Sequence, residues 1–251
     1  AASAGTAQGF TDEKLGLSIS LENKLSIGAS WRVEDRDPNR VGIGNRAENN
    51  GEGNAFSTNG DDGNLAFDKG DVVSAAFKLT SDLTLSRGRF GAFFRGSYLY
   101  NDRLQNYDFF DVGDYGVGKE APISEYDYKT RTVQKYVGNN ADLLDAYLFG
   151  SFDIASRPVG FKIGRQVINW GESVFIQGVN QINPIDVPAA RRAGAELKEI
   201  LLPVWMAYAN WGFNFGSVEA FYQLKWNNTS VDGCGTYFTA TSTLISSDPG
   251  S

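Results

Sequence analysis

From Leu15 to Val33 the chain alternates, residue by residue, between apolar and polar side chains. The odd positions run Leu15, Leu17, Ile19, Leu21, Asn23, Leu25, Ile27, Ala29, Trp31 and Val33, while the even ones are Gly, Ser, Glu, Lys or Arg. Successive side chains of a strand point to opposite faces, so the alternation describes a long amphipathic strand broken only at Asn23. A two-residue hairpin at Glu22-Asn23-Lys24 would swap the parity. Its persistence favours one continuous strand, with a three-residue hairpin as the alternative.

The same period recurs downstream. Asp71 to Leu85 carries its apolar residues on odd positions and Phe90 to Tyr100 on even ones, which predicts a hairpin turning at Ser86 to Arg89, with Leu85 opposite Phe90 and Phe77 opposite Tyr98. Trp205 to Phe215 and Val218 to Trp226 predict a second hairpin turning at Gly216-Ser217, with Trp211 opposite Tyr222. A third, Leu143 to Ile154 and Val159 to Trp170 around Ala155 to Pro158, is less regular. Lys162 and Arg165 fall on opposite faces there, which leaves its orientation open and allows a bulge.

Short connections alternate strictly with long ones: Glu34 to Gly70, Asn101 to Asp142, Gly171 to Val204, and Asn227 onward. A β-sandwich offers no reason for that segregation, whereas an outer-membrane barrel places short turns on one rim and long loops on the other. Trp31, Tyr98, Tyr100, Trp205 and Trp226 sit near strand ends, where interfacial aromatic girdles belong. The expected fold is therefore all-β: part of an antiparallel transmembrane outer-membrane β-barrel, about seven or eight strands of a larger one, with a short helix in one long loop. Residues 1–14 read as a periplasmic segment, 15–227 as the partial barrel and 228–251 as an extracellular loop, so the chain starts on the short-turn side. The competing architecture is a secreted all-β binding module for carbohydrate or surface adhesion.

Composition narrows the chemistry. A net charge of −7 argues against a nucleic-acid partner, which needs clustered Lys and Arg. There is no His, which removes the Ser-His and Cys-His nucleophile pairs and disfavours an enzyme such as a barrel lipase. The one Cys, Cys234, can form neither an intrachain disulfide nor a zinc cage. No apolar run approaches the ~18 residues of a transmembrane helix. The opening Ala-Ala-Ser-Ala-Gly has two readings, a mature terminus left by signal-peptide cleavage or an arbitrary start within a longer chain.

The stretch "GRQVINWGESVFIQGVNQINPIDV", followed by "RRAGAELKEILLPV", resembles the Gram-negative outer-membrane family catalogued as domain of unknown function 1302. "LSIGASWRVEDRDP" and "DDGNLAFDKGDVVSA" resemble its N-terminal segments, so the likeness spans most of the chain; Ala193 departs from it where Pro is expected. The resemblance implies a barrel roughly twice this length, embedded in outer-membrane lipid. It further implies periplasmic lipoprotein-carrier-like partners and lipid-exporting pumps, and a hydrophobic or amphiphilic cargo.

Candidate functional residues follow from parity and from the long loops. Arg32, Lys78, Arg95 and Lys225 fall on the polar parity of their strands and are expected to line a pore, with Arg165 joining them if the ambiguous hairpin faces that way, and Glu172 with it. After "INPIDVP" the loop turns helical until Pro203 and carries Arg191, Arg192, Glu196 and Glu199. Two readings of these four stay open: an inward-folding constriction that selects solutes by charge, or a rim cap with its charges locally paired. Asp61, Asp62, Asp68 and Asp71 are a weak calcium candidate, lacking the spacing of a calcium loop. "GDYGVGKE", Gly113 to Glu120, mimics a phosphate-binding loop, but Glu120 stands where Ser or Thr should be. No cofactor is expected.

Overall fold

The computed structural model describes residues 2–12, 16–106, 131–169, 182–193, 195, 197–233 and 235–239. They form one antiparallel sheet of eight strands in sequential order: β1 Ala2–Asp12, β2 Leu17–Trp31, β3 Val72–Arg87, β4 Phe90–Asn101, β5 Asn139–Ile154, β6 Arg157–Gln166, β7 Val204–Phe213 and β8 Gly216–Gln223. The sheet is open, with β1 and β8 as its edges.

The long alternation is one strand, β2. Its break at Asn23 lies opposite Ser81 of β3, whose Oγ donates to Asn23 Oδ1 at 2.7 Å, so the two polar groups on the apolar face satisfy each other. β1 was not expected. Residues 2–12 pair with β2 from Ala2↔Ile27 to Asp12↔Leu17 rather than lying outside the sheet, and their start falls on the long-connection edge instead of the short-turn edge. Its outward row holds Thr6, Gln8 and Asp12, so periodicity of hydrophobicity had nothing to register there.

Two hairpins turn more tightly than expected, and the third turns two residues earlier. Gly88-Arg89 joins β3 to β4, with Gly88 at φ +58, and the register shifts by two so that Leu85 meets Ala92. Asn214-Phe215, not Gly216-Ser217, joins β7 to β8; Trp211 meets Val218. Ala155-Ser156 joins β5 to β6 with both residues at positive φ, the backbone of a type I′ turn. Every turn shift is even, so the shifts by themselves exchange no faces; the irregularity opposite Ser30 and Trp31 turns Val73 inward.

The irregular hairpin owes its irregularity to a bulge. Leu144 and Asp145 of β5 together oppose Arg95 of β4, which switches the inward parity from Asn140 and Asp142 to Asp145, Tyr147 and Phe149. Lys162 then falls on the polar face and Arg165 in the apolar row, between Ala146 and Trp205. Gly164, at φ +140, sits where an added Cβ would meet Ala146 O at 2.3 Å.

One face of the sheet is apolar along a row that crosses all eight strands: Phe10, Ile19, Leu85, Ala92, Leu148, Ile163, Ala207 and Tyr222. The face is exposed. The buried core lies on the other side, at the long-connection edge, where loops fold over the polar face. Phe67, Val73, Val133 and Val137 form one cluster, and Ile168, Val204 and Met206 the other. Each such side chain contributes about 1.5–3 kcal/mol by burial, so the loops are held down by packing as well as by charge.

Candidate functional site: a loop latched onto the polar face

The sequence after β6 returns to the sheet because its own polar residues tie it there. Asn183 accepts from Ile168 N–H at 2.9 Å and donates to Leu202 O at 2.9 Å, drawing the two ends of the loop together. Asp186 caps the helix Val187–Arg191 through Ala189 N–H at 3.1 Å, with Pro188 in its first turn. The helical pattern expected from Arg191 to Pro203 is thus two short helices, the second being Leu197–Ile200.

That second helix carries Glu199 down to β3. Glu199 Oε2 lies 2.9 Å from Lys78 Nζ, both side chains being about nine-tenths buried, and Thr80 Oγ1 donates to Glu199 Oε1 at 3.4 Å. Arg192 lies half-buried beside Asp186 and Glu199, and a cavity of about 50 Å³ remains among them, Asp142 and Ser97. Burial pushes the Asp186 carboxyl above the usual carboxylate range against the pull of Arg192 and Lys78. It pulls the Arg192 guanidinium down, although a guanidinium keeps its charge in a protein. Nearer the loop surface, Arg191 pairs with the Asp232 carboxylate and donates to Phe238 O at 2.9 Å. Asp232 is likewise raised, burial outweighing Arg191.

A second cluster stands deeper on the sheet. Arg95 donates to both oxygens of Asp82 at 2.7 Å and lies 3.4 Å from Asp145, so one guanidinium bridges three strands. Lys162 lies over the rings of Tyr147 and Tyr208, 5.4 and 5.9 Å from their centroids.

Of the residues singled out by sequence, Lys78, Arg192 and Glu199 come together against the polar face, with Arg191 at the loop end and Arg95 in the separate cluster with Asp82 and Asp145. Lys225 lies just beyond β8, exposed. Two are displaced: Arg165 stands in the apolar row, and Arg32 belongs to the β2–β3 loop rather than to the polar face. Arg32 is 4% exposed and spends five hydrogen bonds on the loop, on Asn64 O and Oδ1, Phe67 O, Glu34 O and Asp35 O. A guanidinium has five N–H groups, so none is left for a solute.

The calcium candidate is dispersed. Asp61 accepts from Gly42 N–H and Asn45, Asp68 pairs with Arg36 at 3.0 Å, and Asp71 accepts from Asp68 N–H. Among the described residues no three acidic, Cys or His side chains gather as a metal site. Glu172, Glu196, Cys234 and the stretch Gly113 to Glu120 lie outside the described residues.

Sequence reasoning missed Asp82, Asp145, Asp186 and Asp232, the acidic halves of these clusters. Asp82 shared the polar parity of Lys78 and was legible. Asp145 was hidden by the bulge, and the two loop carboxylates acquire partners only through tertiary contact.

These features define an all-β protein built on one amphipathic sheet, whose polar face is covered at the long-connection edge by its own loops and whose apolar face, among the described residues, is exposed. The chain belongs to the family described as "Protein of unknown function (DUF1302)", which residues 1–249 match. No curated protein and no solved structure matches it.

Proposed function

We propose that this sheet is part of the wall of an outer-membrane β-barrel that passes material across the bacterial envelope, its apolar face against lipid and its polar face toward a lumen. The bare apolar face carries the reading: Leu148 is 60% exposed and Ile163 51%, while Lys78 and Asp145 opposite are 8% and 5%. A sheet folded in water buries the apolar side and exposes the charges, the reverse arrangement.

Aromatic placement supports the same reading. Trp31, Tyr98, Tyr100 and Trp205 stand toward the long-connection edge and Phe90, Phe152, Trp211 and Phe213 toward the short turns. Phe90 and Tyr100 are separated by roughly 33 Å of strand, or about 25 Å of height after the usual tilt, which is the thickness of an outer-membrane apolar band. With short turns in the periplasm, the start of β1 and the end of β8 lie on the outer side.

The loop latched through Lys78 and Glu199 is the constriction of this lumen, since it folds inward instead of capping the rim. Transport is passive and no reaction is catalysed. The family resemblance adds a hydrophobic or amphiphilic cargo, with a periplasmic lipoprotein-carrier-like protein and a lipid-exporting pump as partners. Fractionation of the full-length protein is the test: it partitions with outer membranes and needs detergent for extraction. A native protein soluble without detergent overturns the proposal in favour of a secreted module. A folded, membrane-extracted protein that carries no current in planar bilayers overturns the channel alone.

A further inference from the structure

We propose that the cleft between the β2–β3 loop and the segment following β8 is a binding site for a saccharide. It measures about 820 Å³, within the range of roughly 300–1,000 Å³ that holds small ligands. Its walls carry three cations, Arg32, Arg40 and Arg191, and three carboxylates, Glu34, Asp35 and Asp37. That balance suits neither a strong anion nor a strong cation. Apart from Ala55 and two rings, the side chains around it are polar, which leaves an acyl chain nothing to lie against.

The two rings supply the remaining element. Phe238 is 46% exposed, and Tyr237 meets it edge-on, centroids 4.9 Å apart at 78°. The Arg191 guanidinium lies 5.3 Å from the Phe238 centroid and the Arg32 guanidinium 5.7 Å from that of Tyr237, so the pair is fixed by cations on both sides. A pyranose presents aliphatic C–H edges, which suit the electron-rich face of a ring, and vicinal hydroxyls, which suit planar carboxylates, amides and guanidinium groups. On the β2–β3 loop wall the Arg40 guanidinium is largely exposed and 4.0 Å from the Asp37 carboxylate, whose Oδ1 accepts from Asn39 N–H and Nδ2, whereas Arg32 is consumed in building the wall.

The wall is preorganised. Besides the Arg32 bonds, Arg36 donates to Glu48 O and Leu65 O, and buried Asp61 holds Gly42 N–H at 2.7 Å. A loop already ordered before binding loses little freedom on binding. The ligand is either a free oligosaccharide or the sugar headgroup of a glycolipid, and neither requires the sheet to be a channel wall.

The test uses the full-length protein in an amine-oxide detergent, free of sugar headgroups, on an array of lipid-free oligosaccharides. Intact lipopolysaccharide and its delipidated core oligosaccharide are titrated in parallel. At least one oligosaccharide binds in the micromolar to millimolar range. Phe238→Ala weakens it at least tenfold, Phe238→Trp retains it, and Arg89→Ala, at the short-turn edge, leaves it unchanged. Preference for the lipopolysaccharide core assigns a glycolipid headgroup, and preference for another glycan a free saccharide. Absence of binding to every oligosaccharide, or equal binding by Phe238→Ala and the parent protein, overturns the proposal whatever the outcome of membrane fractionation.

Discussion

Lys78 Nζ, midway along β3, lies 2.9 Å from Glu199 Oε2, on a helix of the distant β6–β7 loop. This pair is the point at which that loop is fastened to the sheet, and it is nearly dry. Removing one partner of such a pair leaves a charge buried alone, which costs about 3–5 kcal/mol. Lys78→Ala or Glu199→Ala is therefore expected to free residues 182–203, read as new protease cleavage there and, in bilayers, as a larger single-channel conductance. The double variant Lys78→Met with Glu199→Leu removes both charges and is expected to restore protection while the loop stays down.

The apolar row gives a test of what surrounds it. Leu148→Arg places a charge near the middle of that face, where a bilayer would impose about 2–4 kcal/mol. Equilibrium unfolding of the full-length protein in lipid vesicles is expected to register that loss. In water the same exposed site would tolerate Arg with little change.

Arg32 behaves as a fastening of the β2–β3 loop rather than as a pore charge. Arg32→Ala withdraws hydrogen bonds from the carbonyls of Asn64 and Phe67 and is expected to cost about 3 kcal/mol, seen as faster amide exchange across residues 33–70. Ion selectivity is expected to stay as in the parent protein. A selectivity change with an intact loop would return Arg32 to the lumen.

Burial raises the Asp186 carboxyl, so its charged form weighs against the closed loop at neutral pH. Protonation favours the folded arrangement: this contribution is complete below the unfolded carboxylate value and is lost as pH rises through the raised one. Amide exchange of residues 186–192 is thus expected to slow on mild acidification. Asp186→Asn keeps an effective cap without a charge and is expected to flatten that dependence.

Strand identity was legible wherever an apolar row gave a period, as in β2, and strand faces survived even where turns were misplaced. Pairing Leu85 with Phe90, two residues out of register, left Phe77 and Tyr100 on the correct face, because only odd shifts exchange faces. β1 escaped because its exposed row is only partly apolar, and the β5 bulge concealed Asp145.

Alternation along the chain thus determined the sheet, its two faces, and the sorting of short turns from long connections. These depend on neighbouring residues and a fixed two-residue period. Which charges met was decided only in three dimensions. Arg32 continued the polar parity of β2 yet turned into a loop, because a buried guanidinium goes wherever carbonyls can satisfy its five donors. Glu199 meets Lys78 because Asn183 and Asp186 hold the loop folded back over the sheet. No local pattern encodes a partner that chain folding must first bring near.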